Sequence, residues 1–252
     1  MTRSDWFALA KHFGLLLLIA FFAIMAARRT AGAEDMPTVD VALVLAVDAS
    51  TSVRPDEAAL QRAGYAAAIL SPEVLKAIEA GLYGEIVLTY VEWSGAREQR
   101  TVVPWTVISD VHDAIGFVKA LHADKRPKGF GSNTDIASAI TYSAGLLAIL
   151  PVKAERHIID ISGDGTQNEG PPLVPARKAA LAQGITINGL PVELAPDTPV
   201  TLADYYREFV IGGPGAFVVE SKGGQDFELA VKSKIVSEIA AMPPPTIFAS
   251  RE

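Results

Sequence analysis

Residues 41–52 read VALVLAVDASTS. An unbroken apolar run ends in Asp48, and Ser50, Thr51 and Ser52 follow within four positions. An apolar run without polar alternation describes a strand covered on both faces, as in a parallel sheet. The oxygen-rich end of the run has three readings. Asp48 can be a turn or cap residue, a catalytic nucleophile, or, with the hydroxyls, part of an oxygen-donor metal site.

The same alternation of apolar strand and amphipathic helix continues down the chain. Strands are expected over 39–47, 85–93, 156–162 and 185–192, with a shorter, more exposed one over 100–103 and another over 216–219. Helices are expected over 55–69, 71–81, 109–121, 135–150, 174–183, 202–209 and 226–240. Pro55 suits a first helical turn, Ser109 a cap, and the stretch 124–133, DKRPKGFGSN, is a loop by composition. Strands alternating with helices predict an α/β fold, doubly wound, with a mostly parallel central sheet and helices on both faces. Ligands on such sheets bind at the carboxyl ends of the strands.

Bulk properties narrow the function. The chain has 252 residues, half of them hydrophobic, and a formal net charge of −7. That suits one sizeable domain and gives no basic footprint for nucleic acid. The absence of cysteine excludes disulfides, thiolate metal sites and cysteine nucleophiles. At the N-terminus, Arg3, Lys11 and His12 precede an apolar run over 13–27, and Ala31 and Ala33 frame a small-residue cleavage site ahead of Glu34. Residues 1–33 therefore read as a signal peptide or an N-terminal anchor. The run falls short of the roughly 20 apolar residues of a stable membrane span. Arg28-Arg29, between the run and the cut, is a feature of an uncleaved anchor. The expectation is export, periplasmic or secreted, or else retention at the inner membrane through this segment alone. The domain follows over 39–240, and 241–252 is a tail.

Three loops would emerge on one edge of a parallel sheet: Asp48-Ala49-Ser50-Thr51-Ser52, Gly131-Ser132-Asn133-Thr134-Asp135 and Ser162-Gly163-Asp164-Gly165-Thr166. Among them, Asp48 and Asp164 offer two carboxylates and Ser50, Ser52 and Thr134 three hydroxyls. Hard oxygen donors of modest charge suit Mg²⁺, Mn²⁺ or Ca²⁺, and Mg²⁺ characteristically keeps waters and an open position. Thr134 has a second reading as a helix cap, and Asp135 as a first-turn acid. Asp160 reads as a strand residue with a structural partner. Asn168 and Glu169 read as a solvated loop that could rim the site.

Enzyme readings find less support. A strand-end aspartate also occurs in haloacid-dehalogenase-type phosphatases, but their second aspartate two residues on is Ser50 here. The Gly-x-Ser-x-Gly elbow and the phosphate-binding Gly-x-x-x-x-Gly-Lys are absent from the sequence, and GFGSNT is a poor dinucleotide fingerprint. His12, His112, His122 and His157 are not placed as general bases.

Asp-x-Ser-x-Ser after an apolar first strand, Thr134 before a helix and Asp164-Gly165 after a later strand together resemble a von Willebrand factor type A domain. More narrowly, the segments VDASTSV, WSG, SNTDIASAI, IDISGDGTQNEG, GITINGLPV and FVIGGPGAFV are similar to an exported bacterial family of unknown function, DUF1194. The resemblance spans about residues 39–240. It implies a metal-ion-dependent adhesion site in which the hydroxyls of Ser50, Ser52 and Thr134 contact the cation and Asp48 and Asp164 hold its waters. A carboxylate from a protein partner would complete the coordination, and the chain would not be an enzyme. Thr51 stands where many members of the fold have glycine. The remaining alternative is a metal-dependent hydrolase using Asp48.

Overall fold

The computed structural model describes residues 36–50, 55–124, 130–192, 201–222 and 225–241. Five strands form one sheet: β1 (Thr38–Asp48), β2 (Ile86–Trp93), β3 (Gln99–Ile108), β4 (Lys153–Gly163) and β5 (Thr186–Pro191). Their order is β3-β2-β1-β4-β5. β1 lies in the centre, parallel to both β2 and β4, and β5 is parallel to β4. This is the doubly wound, mostly parallel sheet that the alternation predicts. The direction of winding reverses at β1, so the carboxyl ends of β1 and β4 form the switch point where such sheets bind ligands.

The central position of β1 follows from its composition. Its side chains alternate between two cores. Val41, Leu43, Leu45 and Val47 face one layer, and Ala42, Val44 and Ala46 face the other. The first layer holds α1 (Pro55–Ile69), α2 (Pro72–Glu79), α3 (Val111–Ala123) and α7 (Gln225–Ala240). The second holds α4 (Ile136–Ala148), α5 (Leu173–Leu181) and α6 (Leu202–Tyr205), which runs into a π-helical turn, Tyr206–Val210. Leu45 is wholly buried, and its truncation to alanine would cost about 2–5 kcal/mol.

β3 departs from expectation in length. It spans ten residues, not four, and runs antiparallel to β2 as a hairpin. Pro104, exposed on this outer strand, has no N–H to offer a further strand and interrupts the apolar pattern. On the other edge, β5 is flanked by single bridges from Gly212, Val218 and Ser221, so the expected strand over 216–219 survives only as isolated pairings. The cap of α3 is Asp110, not Ser109: its carboxylate accepts from His112 N and Asp113 N, at 2.7 and 3.0 Å.

Two ionic clusters, the first half-buried and the second buried, tie the helices to the sheet. Glu92 on β2 accepts from Arg62 Nε at 2.8 Å and Nη2 at 2.6 Å, and from Arg100 Nη2 at 2.9 Å. Asp124 closes this cluster by binding both arginines. Beneath α7, Lys234 pairs with Asp160 at 2.6 Å and Glu238 at 2.5 Å, all three buried. Asn188 Nδ2 also donates to Glu238, at 2.9 Å. Asp160 thus has the structural partner its place in a strand implied. Among the described residues, no helix is long and apolar enough to cross a membrane.

Candidate functional site

Asp48 is the last residue of β1, in register with Trp93 of β2 and one step beyond the Val47–Ser162 pair. It is wholly buried, as is Ser50. One carboxylate oxygen, Oδ1, accepts from Ser50 N at 2.7 Å, so the turn reading of Asp48 holds for that oxygen. This bond draws Ser50 back over the end of the sheet. Ser52 lies outside the described residues.

Thr134 stands just before α4, but it does not cap the helix. Asp135 does, accepting from Ser138 N at 2.9 Å through a wholly buried carboxylate. The Thr134 hydroxyl is therefore not spent on the helix. Its backbone is gripped by Asn168, whose Oδ1 accepts from Thr134 N at 2.8 Å while Asn168 N donates to Thr134 O at 3.0 Å. Glu169 N donates to the same carbonyl at 3.3 Å, and Glu169 Oε2 accepts from Ala96 N at 2.8 Å. Asn168, exposed, and Glu169, half-buried, keep the solvated loop expected of them and in addition act as clamps to the neighbouring loops. Sequence reading missed them because such bonds span more than thirty residues and leave no local pattern.

The β2–β3 turn completes the frame. Asp135 N donates to Ser94 O at 2.9 Å. Glu98 Oε2 accepts from the Ser94 hydroxyl at 2.5 Å, Gly131 N at 2.8 Å and Gly95 N at 3.1 Å. The Ser94 hydroxyl, and then the Gly131 N–H, hold the Glu98 carboxyl below the usual range. The segment WSG therefore joins the loop before α4 to the sheet.

Asp164 sits between two glycines that each touch one of the other loops. A Cβ on Gly163 would lie 3.2 Å from Asp48 Oδ2, and one on Gly165 would lie 3.3 Å from Thr134 Oγ1. The bare backbone of this loop therefore fits between Asp48 and Thr134. The structure brings Asp48, Ser50, Thr134 and Asp164 to one edge of the sheet. Tyr206 also reaches this edge: its Oη is 3.0 Å from the same Gly163 position. Burial first, then the charges of Asp48 and Asp164, push the Tyr206 hydroxyl well above its ordinary value, so it stays protonated.

The donor set is carboxylate and hydroxyl oxygen. Among the described residues no three His, Cys, Asp or Glu side chains gather as an acidic or imidazole cage. Two aspartates and neutral hydroxyls fit a hard divalent cation that keeps part of its hydration. His157 lies instead at the other end of the sheet. It lines a cavity of about 560 Å³ near the amino ends of β4 and β5, and burial lowers its pKa. Trp93 is buried in the core, and Trp105 Nε1 donates to Leu146 O, so both serve packing.

A central parallel sheet with one antiparallel edge, helices on both faces and three loops converging at the switch point define a von Willebrand factor type A fold. Residues 38–243 match a family described as "Protein of unknown function (DUF1194)", and the chain belongs to that family.

Solved structures share the fold. Proximal thread matrix protein 1 from the mussel byssus superposes with a TM-score of 0.60 at 13% identity, over 81% of this chain and 49% of that one. Another structure of that protein, with a "zinc occupied MIDAS motif", gives 0.59 at 14% identity, over 81% and 49%. The pilus adhesin SpaC from Lactobacillus rhamnosus GG gives 0.55 at 13% identity, over 82% and 31%. The chain thus spans about half of the mussel protein and a third of the adhesin. No curated protein matches the sequence.

Proposed function

We propose that this chain is an exported interaction module that holds a divalent cation at the carboxyl edge of its sheet and presents it to a carboxylate on a protein partner. Mg²⁺ is the first choice, with Mn²⁺ and Ca²⁺ as alternatives. The residues are Asp48, Ser50, Ser52, Thr134 and Asp164. The hydroxyls would contact the cation, and the two aspartates would hold its waters and balance its charge. When bound, the cation supplies a Lewis-acid position for an incoming carboxylate oxygen. The chain's own residues do the rest: Asn168 fixes the Thr134 backbone, Asp135 relieves Thr134 of the cap, and Gly163 and Gly165 seat Asp164 between its neighbours.

The observation that carries this reading is the two-sided fit of the Gly163-Asp164-Gly165 backbone against Asp48 and Thr134. The zinc-bearing MIDAS motif of the mussel protein supports the same use of this fold. The test is titration calorimetry with Mg²⁺ and Mn²⁺ on the native protein, beside Asp48→Ala and Asp164→Ala. Binding that both variants lose, and that a chelator reverses, is the expected result. No uptake by the native protein refutes the site. Phosphatase turnover abolished by Asp48→Asn would favour the hydrolase instead.

A further inference from the structure

Tyr206 is wholly buried, and its hydroxyl has no hydrogen-bond partner among the described residues. Leaving a buried hydroxyl unpaired costs stability, and phenylalanine would fill the same space without that cost. The hydroxyl therefore calls for an explanation that packing does not supply.

Its position suggests one. The ring enters beside β5 at Gly189, where a Cβ would lie 2.6 Å from Tyr206 Cδ1. The hydroxyl ends at β4 beside Gly163, where a Cβ would lie 3.0 Å from Tyr206 Oη and 3.2 Å from Asp48 Oδ2. Two strands thus carry a glycine where this one side chain passes, and the tip shares the space at Gly163 with an aspartate of the candidate site. Tyr206 also opens a π-helical turn, Tyr206–Val210, a rare conformation that is frequent at functional sites.

We infer that the Tyr206 hydroxyl is a positioning donor for the cation site, hydrogen-bonding Asp48 or a water held by Asp48 and Asp164 once the cation is bound. It lies outside the set of residues that would touch the cation. It acts through Asp48, as outer-shell donors orient metal-bound carboxylates elsewhere. The inference rests on the cation reading given above.

The test is Tyr206→Phe in the full chain, which removes only the oxygen. Mg²⁺ affinity is measured by calorimetry, and the melting temperature of the metal-free protein is measured alongside. The expected result is Mg²⁺ binding weaker by roughly 10-fold or more, with a metal-free melting temperature equal to or above that of the native protein. Native-like Mg²⁺ affinity in Tyr206→Phe overturns the inference, whether or not the metal-free form melts lower, since the hydroxyl would then be structural. Asp48→Ala and Asp164→Ala separate the two levels. If they abolish binding while Tyr206→Phe leaves it intact, the cation site stands and the role of Tyr206 falls. If the native protein takes up no Mg²⁺, both fall.

Discussion

Asn168 holds Thr134 by both ends of its backbone, accepting from its N–H at 2.8 Å and donating to its carbonyl at 3.0 Å. A side chain from the loop after β4 thereby sets the position of a hydroxyl from the loop before α4. Two loops that are distant in sequence become one rigid edge. Asn168→Ala removes the side-chain half of this grip. It should lower stability by about 1 kcal/mol and weaken Mg²⁺ binding by roughly 10-fold. Chemical denaturation and calorimetry check the two effects, and Asn168→Asp, which keeps an acceptor, should lose less of both.

Thr134 offers a sharper contrast. Because Asp135 caps α4, the Thr134 hydroxyl can be removed without uncapping the helix. Thr134→Ala should abolish or strongly weaken cation binding while changing metal-free stability by less than about 1 kcal/mol. Thr134→Ser should bind as the native protein does. Equal binding by the alanine and serine variants would remove Thr134 from the site.

Gly163 is a tighter seat than Gly165 against the candidate site. A methyl group there would press on Tyr206 Oη and Asp48 at 3.0 to 3.3 Å, and both neighbours are wholly buried. Gly163→Ala should cost about 1–3 kcal/mol through overpacking and should reduce Mg²⁺ affinity by displacing Asp48. Gly165→Ala meets one contact at 3.3 Å, from Thr134 Oγ1, and should be milder. A melting series of the two variants, with and without Mg²⁺, ranks them.

The buried cluster under α7 predicts a pH dependence. Burial raises the Asp160 carboxyl to about 7 against the opposing pull of Lys234, with Glu238 adding to the rise. A raised folded pKa means the native state binds more protons than the unfolded chain between the ordinary aspartate value and about 7. The stability from this group is full below that ordinary value and is lost as pH rises through about 7. Stability should therefore decline across this window, at up to about 1.4 kcal/mol per pH unit for one proton. Asp160→Asn should flatten that slope, as denaturation at a series of pH values would show.

Much of this was readable in the sequence, for physical reasons. β1 declared its central place because a strand buried on both faces cannot alternate with polar residues. Asp48 and Asp164 could be set at one edge because parallel strands end on the same side, whereas Thr134 lies between two helices and was placed by its position just before the second. What escaped reading depended on distant partners. Asn168 and Glu169 look like loop residues until the backbone they clamp is folded against them. β3 was shortened by Pro104, which breaks the strand pattern yet is tolerated on an outer strand. Tyr206 sits in a segment of ordinary helical composition, and nothing local announces the π turn it opens or the placing of its hydroxyl beside Gly163.

The outer strands also limit how another molecule can approach. A peptide commonly joins a protein by lying along a free sheet margin and extending it through backbone pairing. Here one margin is interrupted by Pro104 and the other is shielded by the returning segment that bridges through Gly212, Val218 and Ser221. Lengthwise annealing is thus hindered on both flanks. In the cation reading proposed above, a partner would come end-on, against the rim where the three loops gather, and recognition would depend on a few oxygen atoms at a point and not on a strip of main chain.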